Sequence, residues 1–179
     1  LRLEELAEIG EAAVALGVRK IRLTGGEPLV RRGLLTLCRS LSALPGLEEL
    51  CLTTNGAQLK TFAAPLRAAG VSRLNISLDT LQPEKFTCLT RRGNLQDTLD
   101  GIAAAEAAGF DRLKLNCVLL GGVNDDEIGD FLRLTEDHPW EVRFIELMPM
   151  GPCAHWGAER FLPASVILER FPALRPLPE

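Results

Sequence analysis

Short apolar runs recur along the chain, and each is followed by a turn signal and then by helix-forming sequence. The runs cover residues 21–24, 48–54, 73–79, 113–120 and 142–148. Their spacing fits a strand, a crossover helix and a second parallel strand. The pattern therefore predicts an α/β fold with about five parallel strands and outer helices.

The helical segments between these runs carry apolar stripes. The first helix begins at the start of the chain, and its predicted stripe consists of Leu3, Leu6, Ile9, Ala13 and Leu16. Another helix is predicted over 33–43, and later stripes are formed by Leu95, Leu99 and Ile102 and by Ile128, Phe131 and Leu132. Glycines at positions 70 and 109 are expected to end two of the helices just before a strand.

Polar residues occur on every predicted strand and gather where the strands finish. An open doubly wound sheet binds ligands at one switch point, whereas a barrel wall faces a single cavity. We therefore expect a partial (β/α) barrel, with its core in residues 1–151 and a connecting helix and tail in 152–179. Because the chain starts within a helical pattern and stops after a proline-rich tail, we expect it to be cut at both ends.

The composition is that of a globular domain. The 179 residues are 46% hydrophobic and 25% charged, with a formal net charge of -4. This acidic balance argues against broad nucleic-acid binding, so any phosphate site must be local. No apolar run approaches the roughly 20 residues of a membrane span, and no leader sequence precedes the first helix. We expect a cytoplasmic protein that does not bind membranes.

The sharpest local motif is Thr24-Gly25-Gly26-Glu27-Pro28. Two glycines let the backbone approach a ligand closely, and the Glu27 carboxylate suits a ligand ammonium. The alternative is a tight strand-to-helix turn closed by Pro28. The motif has neither the lysine of a phosphate-binding Walker loop nor the three-glycine spacing of a dinucleotide fingerprint.

Three later strands present polar or cationic residues on one face. Asn75, Ser77 and Asp79 alternate with apolar residues, and Lys114 and Asn116 repeat the pattern. Arg143 lies between two apolar residues of the last strand. Such cations need an anionic partner, which is either a carboxylate of the protein, Glu146 or Asp79, or a ligand phosphate.

The five cysteines and two histidines indicate no metal site. Cys38, Cys51, Cys88, Cys117 and Cys153 form no closely spaced pair, which is typical of scattered reduced thiols. His138 and His155 have no serine and aspartate arrangement of a hydrolytic triad.

Taken together, five ordered motifs resemble those of the radical S-adenosylmethionine GTP 3′,8-cyclase family, which acts first in molybdenum cofactor biosynthesis. The motifs are residues 21–28, 53–56, 75–81, 114–116 and 143–148. The resemblance implies a partial barrel that holds S-adenosylmethionine and GTP. In that family a four-iron four-sulfur cluster cleaves S-adenosylmethionine, and the resulting radical starts the closure of the GTP ribose onto the guanine.

The resemblance also implies roles for individual residues. Contacts to S-adenosylmethionine fall on Gly25, Gly26, Glu27, Ser77 and Met148. Contacts to GTP fall on Arg22, Thr53, Lys114 and Arg143. No catalytic residue or metal ligand is assigned. The electron donor and a possible homodimer stay open.

The family's cluster cysteines have no counterpart in this sequence. They belong to a loop upstream of Leu1 and to a second site beyond Glu179, so we expect this span alone to lack the clusters and the radical chemistry. Two alternatives stay open. One is another radical S-adenosylmethionine enzyme with a different substrate, and the other is a non-catalytic module that binds S-adenosylmethionine or a nucleotide.

Overall fold

A single parallel sheet forms the centre of the computed structural model, which describes residues 1–148 and 158–176. Its strand order is sequential, and the register of each pair is parallel. The five strands are β1 (Lys20–Leu23), β2 (Glu49–Thr54), β3 (Arg73–Ser77), β4 (Lys114–Leu119) and β5 (Glu141–Glu146). All five match a predicted apolar run to within two residues.

Helices precede, connect and follow the strands. They are α1 (Leu3–Ala15), α2 (Leu34–Ser42), α3 (Leu59–Ala68), α4 (Pro83–Thr90), α5 (Leu95–Ala107), α6 (Ile128–Asp137) and α7 (Ser165–Arg170), with α1 before β1 and α7 after β5. Short 3-10 turns cover Pro28–Val30, Asp125–Glu127 and Ala158–Arg160. Gly70 and Gly109 follow α3 and α5 with φ of 87° and 82°, the left-handed conformation that ends a helix, as predicted.

The sheet has one apolar face and one polar face. Leu52, Leu74, Ile76 and Leu115 are completely buried in the core, together with residues of the flanking helices. Because right-handed crossovers between strands in sequential order place every helix on the same side, the helices cover only this outer face. The result is the wall of a partial (β/α) barrel and not a doubly wound sheet.

The predicted stripe of α1 is partly wrong. Leu3 and Leu6 pack against the core as expected, but Ile9 and Leu16 are 55% and 88% exposed. The buried position is Gly10, where an added Cβ would collide with the Leu41 side chain of α2. At this turn of α1 the core-facing residue is therefore Gly10 and not Ile9. A pattern of hydrophobic residues does not detect a buried glycine. Leu99 of α5 is also more exposed than predicted.

The segment from 158 to 176 packs back onto the barrel wall. Ile167 of α7 joins the core, and Arg170 forms an ion pair with Asp125 at 3.1 Å. The carbonyl of Arg160 accepts a hydrogen bond from the Gly121 amide at 2.9 Å. The predicted domain boundary at 151 lies outside the described residues and stays a prediction. No helix in the two described ranges is long and apolar enough to cross a membrane.

The contact between α3 and α5 depends on a glycine. An added Cβ at Gly101 of α5 would overlap the carbonyl oxygen of Gly56 and lie 3.1 Å from Cβ of Leu59. Gly101→Ala should therefore lower the free energy of unfolding by about 1–3 kcal/mol, although alanine is the better helix former.

Urea denaturation measures this effect, with Gly129→Ala as the matched control. At Gly129 of α6 the nearest atom to an added Cβ is 3.5 Å away, which is ordinary contact. A stabilised Gly101→Ala variant would contradict the packing argument.

Candidate functional site

The polar face of the sheet is organised in rows that cross the strands. One row contains Thr53, Asn75, Lys114 and Glu141, which are paired in register from β2 to β5. The next row toward the carboxyl ends contains Ser77, Asn116 and Arg143, and a row on the other side contains Arg22, Cys51 and Arg73. Since alternate residues of a strand share a face, all of these side chains lie on the concave side.

This concave face is positively charged. Its described strand residues include five cations, Lys20, Arg22, Arg73, Lys114 and Arg143, against two carboxylates, Glu49 and Glu141, an excess of three positive charges. The whole chain carries a net charge of -4. Since the chain is acidic and this face is not, the face is suited to an anionic ligand.

Each carboxylate of the face bridges two cations. Glu49 pairs with Lys20 and Arg73, and the hydrogen bond from Lys20 is the main cause that lowers the pKa of Glu49. Glu141 pairs with Lys114 at 2.5 Å and with Arg143 at 2.6 Å. Partial burial alone would raise the pKa of Glu141, but the hydrogen bonds from Lys114 and Arg143 lower it.

The protein partner predicted for Arg143 was wrong. Glu146 accepts a hydrogen bond from the Ala164 amide, and Asp79 accepts one from the Val118 amide, whereas Glu141 holds Arg143. Glu146 is an odd number of residues from Arg143 and so points to the other face of the strand. Glu141, two residues before Arg143, was missed, although the same alternation could have found it.

The expectation that polar residues gather where the strands finish is also wrong for two cations. Lys114 is the first residue of β4 and Arg143 is the third of the six in β5, so neither lies at a carboxyl end. Ser77, by contrast, is the last residue of β3. The cations therefore line the wall of the barrel, and Ser77 lies nearer its rim. Arg22, on the edge strand β1, has no carboxylate partner among the residues that the structure describes.

Two amide side chains on this face have unsatisfied oxygens. Within the described part of the chain, Oδ1 of Asn75 and Oδ1 of Asn116 are buried and accept no hydrogen bond. Asn75 is 1% exposed and lies in the same row as Thr53 and Lys114. A buried carbonyl oxygen without a donor costs free energy, so these atoms are candidate acceptors for a ligand.

The Gly-Gly-Glu turn follows β1 at the edge of the sheet. Gly25 and Gly26 are exposed, and an added Cβ at either would meet no atom within 4 Å, so packing within the chain does not require glycine. A cavity of about 400 Å³ lies beside the turn and extends to Leu3, Leu6 and Arg22. The open space is compatible with the predicted close approach of a ligand.

Glu27 has a structural role in the turn. Its carboxylate accepts hydrogen bonds from the Thr54 hydroxyl at 2.7 Å, the Asn55 amide at 2.7 Å and the Leu29 amide at 3.1 Å. It thus ties the end of β1 to the end of β2. A carboxylate offers about four acceptor positions, so one further donor, such as an ammonium, still fits.

The other site residues are distributed across the sheet. Thr53, Ser77, Lys114 and Arg143 lie on the continuous concave surface of β2 to β5. The Gly-Gly-Glu turn and Met148 belong to opposite edges, because the turn follows β1 and Met148 follows β5. Met148 is 63% exposed. Because the sheet is the curved wall of a partial barrel, residues at its two edges can face the same ligand.

A buried polar network beyond the carboxyl ends of β3 and β4 was not predicted. Glu127, 1% exposed, accepts hydrogen bonds from the Thr80 hydroxyl and the Leu81 amide, both at 2.7 Å, and pairs with Lys85 at 3.0 Å. Asn124 donates to the carbonyl of Asp79 at 2.6 Å. These contacts fix the loops that follow β3 and β4, at the carboxyl-end rim of the concave face.

The described cysteines do not form a cluster site. Cys38, Cys51 and Cys117 are buried and Cys88 is exposed. Burial raises the pKa of Cys38 to about 11 and also raises the pKa of Cys51 and of Cys117, which disfavours the thiolate that binds metal. Over residues 1–148 and 158–176 no group of three or more histidine, cysteine or acidic side chains could hold a metal ion. Cys153 and His155 lie outside the described residues.

The singly wound parallel half-barrel with a polar concave face is also what comparison with known proteins finds. Residues 1–135 match the Radical SAM superfamily, and the chain belongs to it. The fold is similar to that of coproporphyrinogen III oxidase from Escherichia coli, at a TM-score of 0.64 and 14% identity over 96% of this chain and 45% of that one. A radical SAM methyltransferase from Sphaerobacter thermophilus has a TM-score of 0.66 at 18% identity, over 96% of this chain and 52% of that one.

Curated relatives carry a more particular name. The chain is 56% identical over 171 residues to the GTP 3′,8-cyclase of Pseudomonas syringae pv. syringae (strain B728a), covering 95% of this chain and 52% of the relative. It is 51% identical over 175 residues to the GTP 3′,8-cyclase of Peptoclostridium acidaminophilum, covering 97% and 54%. The predicted resemblance is thus confirmed. The chain spans about half the length of these relatives, and its superfamily implies the use of S-adenosylmethionine and an iron–sulfur cluster.

Loss of the Glu27 carboxylate should destabilise the unliganded chain. Glu27→Ala leaves the buried Thr54 hydroxyl and the Asn55 amide without an acceptor, and we expect a loss of about 1–3 kcal/mol in the free energy of unfolding. The control is Glu8→Ala, an exposed glutamate on α1. Urea denaturation at pH 7 compares the two variants, and equal stability would contradict the bridging role of Glu27.

Asp79 should give the chain a measurable dependence on pH. Burial raises its pKa, and the hydrogen bond from the Val118 amide offsets this only in part. Because the unfolded chain then releases this proton first, the contribution of Asp79 to the free energy of unfolding becomes less favourable as the pH rises above about 4. Asp79→Asn keeps an acceptor for Val118 and should remove this contribution.

Denaturation of wild type and variant at pH 4.5 and pH 7.5 measures the change. The exposed Asp111→Asn serves as the control. A variant with the same pH dependence as the wild type would show that the Asp79 carboxyl group is not penalised by burial.

Proposed function

We propose that this chain forms the ligand-binding wall of a GTP 3′,8-cyclase, which converts GTP to a 3′,8-cyclised nucleotide in the first step of molybdenum cofactor biosynthesis. The observation that carries the proposal is the excess of positive charge on the concave face of an acidic chain. A triphosphate compensates such charge. The names and high identity of the curated relatives support the same substrate.

The proposal assigns GTP to Arg22, Thr53, Lys114 and Arg143. The two guanidinium groups offer paired donors that match phosphate oxygens, and the Lys114 ammonium adds a compact charge between them. Arg22, which lacks a carboxylate partner among the described residues, needs no displacement of a protein anion before it binds phosphate. The Thr53 hydroxyl can donate to a ribose or phosphate oxygen.

The proposal assigns S-adenosylmethionine to Gly25, Gly26, Glu27, Ser77 and Met148. The open space at the glycines and the remaining acceptor position of Glu27 fit its ammonium and carboxylate groups. Ser77 offers a hydroxyl near the rim, and the exposed Met148 thioether offers an apolar contact. When bound, and given one electron by a reductant outside the described residues, S-adenosylmethionine would supply the radical that the reaction needs.

The described residues do not fit an iron–sulfur cluster. The proposal assigns the cluster cysteines to parts of the protein outside these 179 residues, in keeping with relatives about twice as long. On this view the chain alone is inactive. Cytoplasmic location belongs to the same proposal.

Removal of a wall cation should weaken GTP binding selectively. In a chimaera in which this chain replaces the matched half of the Pseudomonas syringae relative, we expect Lys114→Ala and Arg143→Ala each to cost about 1.5–3 kcal/mol in GTP affinity. Affinity for S-adenosylmethionine should change little, because its proposed contacts lie elsewhere. Calorimetry with both ligands and a turnover assay for GTP provide the measurements.

Two exposed cations on the outer helices serve as controls. Lys60→Ala on α3 and Arg133→Ala on α6 remove the same charges away from the concave face, and both should bind GTP as the wild type does. Equal losses for both ligands in the wall variants, or none for GTP, would reject the substrate and favour another radical S-adenosylmethionine enzyme.

A further inference from the structure

Lys114 and Arg143 come from different strands and rows, yet both contact one carboxylate. The distances from Glu141 are 2.5 Å to Nζ of Lys114 and 2.6 Å to Nε of Arg143. These are two of the three cations to which the proposed function assigns GTP, the third being Arg22. The protein itself therefore places an anion on two of these three cations.

The partners differ in their access to solvent. The Lys114 side chain is 12% exposed, whereas that of Glu141 is 50% exposed. A largely buried ammonium needs an anion at all times, but a half-exposed carboxylate can turn into water at little cost. Glu49, the other bridging carboxylate, is 19% exposed and is held between Lys20 and Arg73. Glu141 is therefore the carboxylate that a ligand can displace.

A second acceptor lies beside Lys114. Asn75 is its partner in register on β3, and Oδ1 of Asn75 is buried without a donor among the described residues. If Glu141 turns outward, the Lys114 ammonium can donate to Asn75 and to an incoming anion together. The wall thus offers Lys114 two arrangements, one with Glu141 and one with Asn75 and a ligand.

We propose that Glu141 is an internal counter-ion that occupies Lys114 and Arg143 when no ligand lies on the concave face, and that a polyanionic ligand must displace it. Glu141 thereby sets the affinity and the charge selectivity of the site. This inference rests on the proposed function for the identity of the site. A ligand with a single negative charge replaces Glu141 with no gain, whereas a triphosphate brings several charges to the two cations. The site therefore selects polyphosphates over monoanions.

Tripolyphosphate is the probe, because it carries the charge of the substrate without its base or ribose. Titrated calorimetrically into the 179-residue chain at low salt, it should bind Glu141→Gln roughly tenfold more tightly than the wild type, since a repelling charge is removed. Glu136→Gln makes the same change in net charge on the exposed surface of α6 and should have no effect. Lys114→Ala should lower the affinity.

Unchanged or weaker binding by Glu141→Gln overturns the proposal, as does an absence of binding by both the wild type and this variant. A thermal melt excludes unfolding, and Glu141→Asp, which keeps the charge, should bind no more tightly than the wild type. One measurement needs no variant. The ¹³C carboxyl resonance of Glu141 in the wild type should shift when tripolyphosphate is added, and a stationary resonance also overturns the proposal.

The proposed function can fail separately. If Glu141→Gln gains affinity for tripolyphosphate but the chimaera with Lys114→Ala or Arg143→Ala converts GTP normally, the counter-ion stands and the GTP assignment falls. If those variants lose GTP binding but Glu141→Gln gains none, the substrate stands and the counter-ion falls.

Discussion

The structure depends on the burial of only one face of a parallel sheet. Leu52, Leu74, Ile76 and Leu115 exclude water completely on the outer face, where the helices lie. Because right-handed crossovers between strands in sequential order place the helices on one side, no helix of the described residues covers the opposite face. That face can hold charged side chains without burying them in an apolar core. The apolar contacts of one face thus fix the rigid wall on which the ligand-binding groups of the other are arranged.

The alternation of polar and apolar residues along single strands made much of the fold and of its concave face predictable. The five strands, their parallel direction and the inward face of Ser77, Lys114 and Arg143 follow from sequence periods of two and from crossover spacing. What alternation does not give is the register between strands. The position of Lys114 at the start of β4 and its contact with Glu141 are set by pairing with β3 and β5, which no single run of residues encodes. The network around Glu127 was missed for the same reason, since its members are far apart in sequence.

The two bridging carboxylates illustrate how burial decides the role of an ion pair. Both hold two cations, but Glu49 is enclosed between strands at one end of the sheet, and Glu141 is half exposed at the other edge. Glu49 itself is largely buried, so turning it away from its two cations is costly and it acts as a structural link. Glu141 is half exposed and can turn into water, so it can exchange with a ligand that keeps the more buried Lys114 paired. Identical chemistry therefore gives a fixed contact in one place and an exchangeable one in the other.

The Gly-Gly-Glu turn has the structural role that one interpretation of its sequence gave it, and the ligand contact of the other interpretation stays a proposal. Glu27 stabilises the turn through Thr54 and Asn55, and the same contacts hold the exposed glycines at the end of β1 in a fixed position relative to β2. Thr53, which faces the cavity from β2, immediately precedes Thr54. Glu27, a proposed contact of S-adenosylmethionine, is therefore hydrogen-bonded to Thr54, and Thr54 is the neighbour in sequence of Thr53, a proposed contact of GTP. A ligand ammonium that binds Glu27 would contact a group that also holds Thr54, the neighbour of the residue that the proposal assigns to GTP.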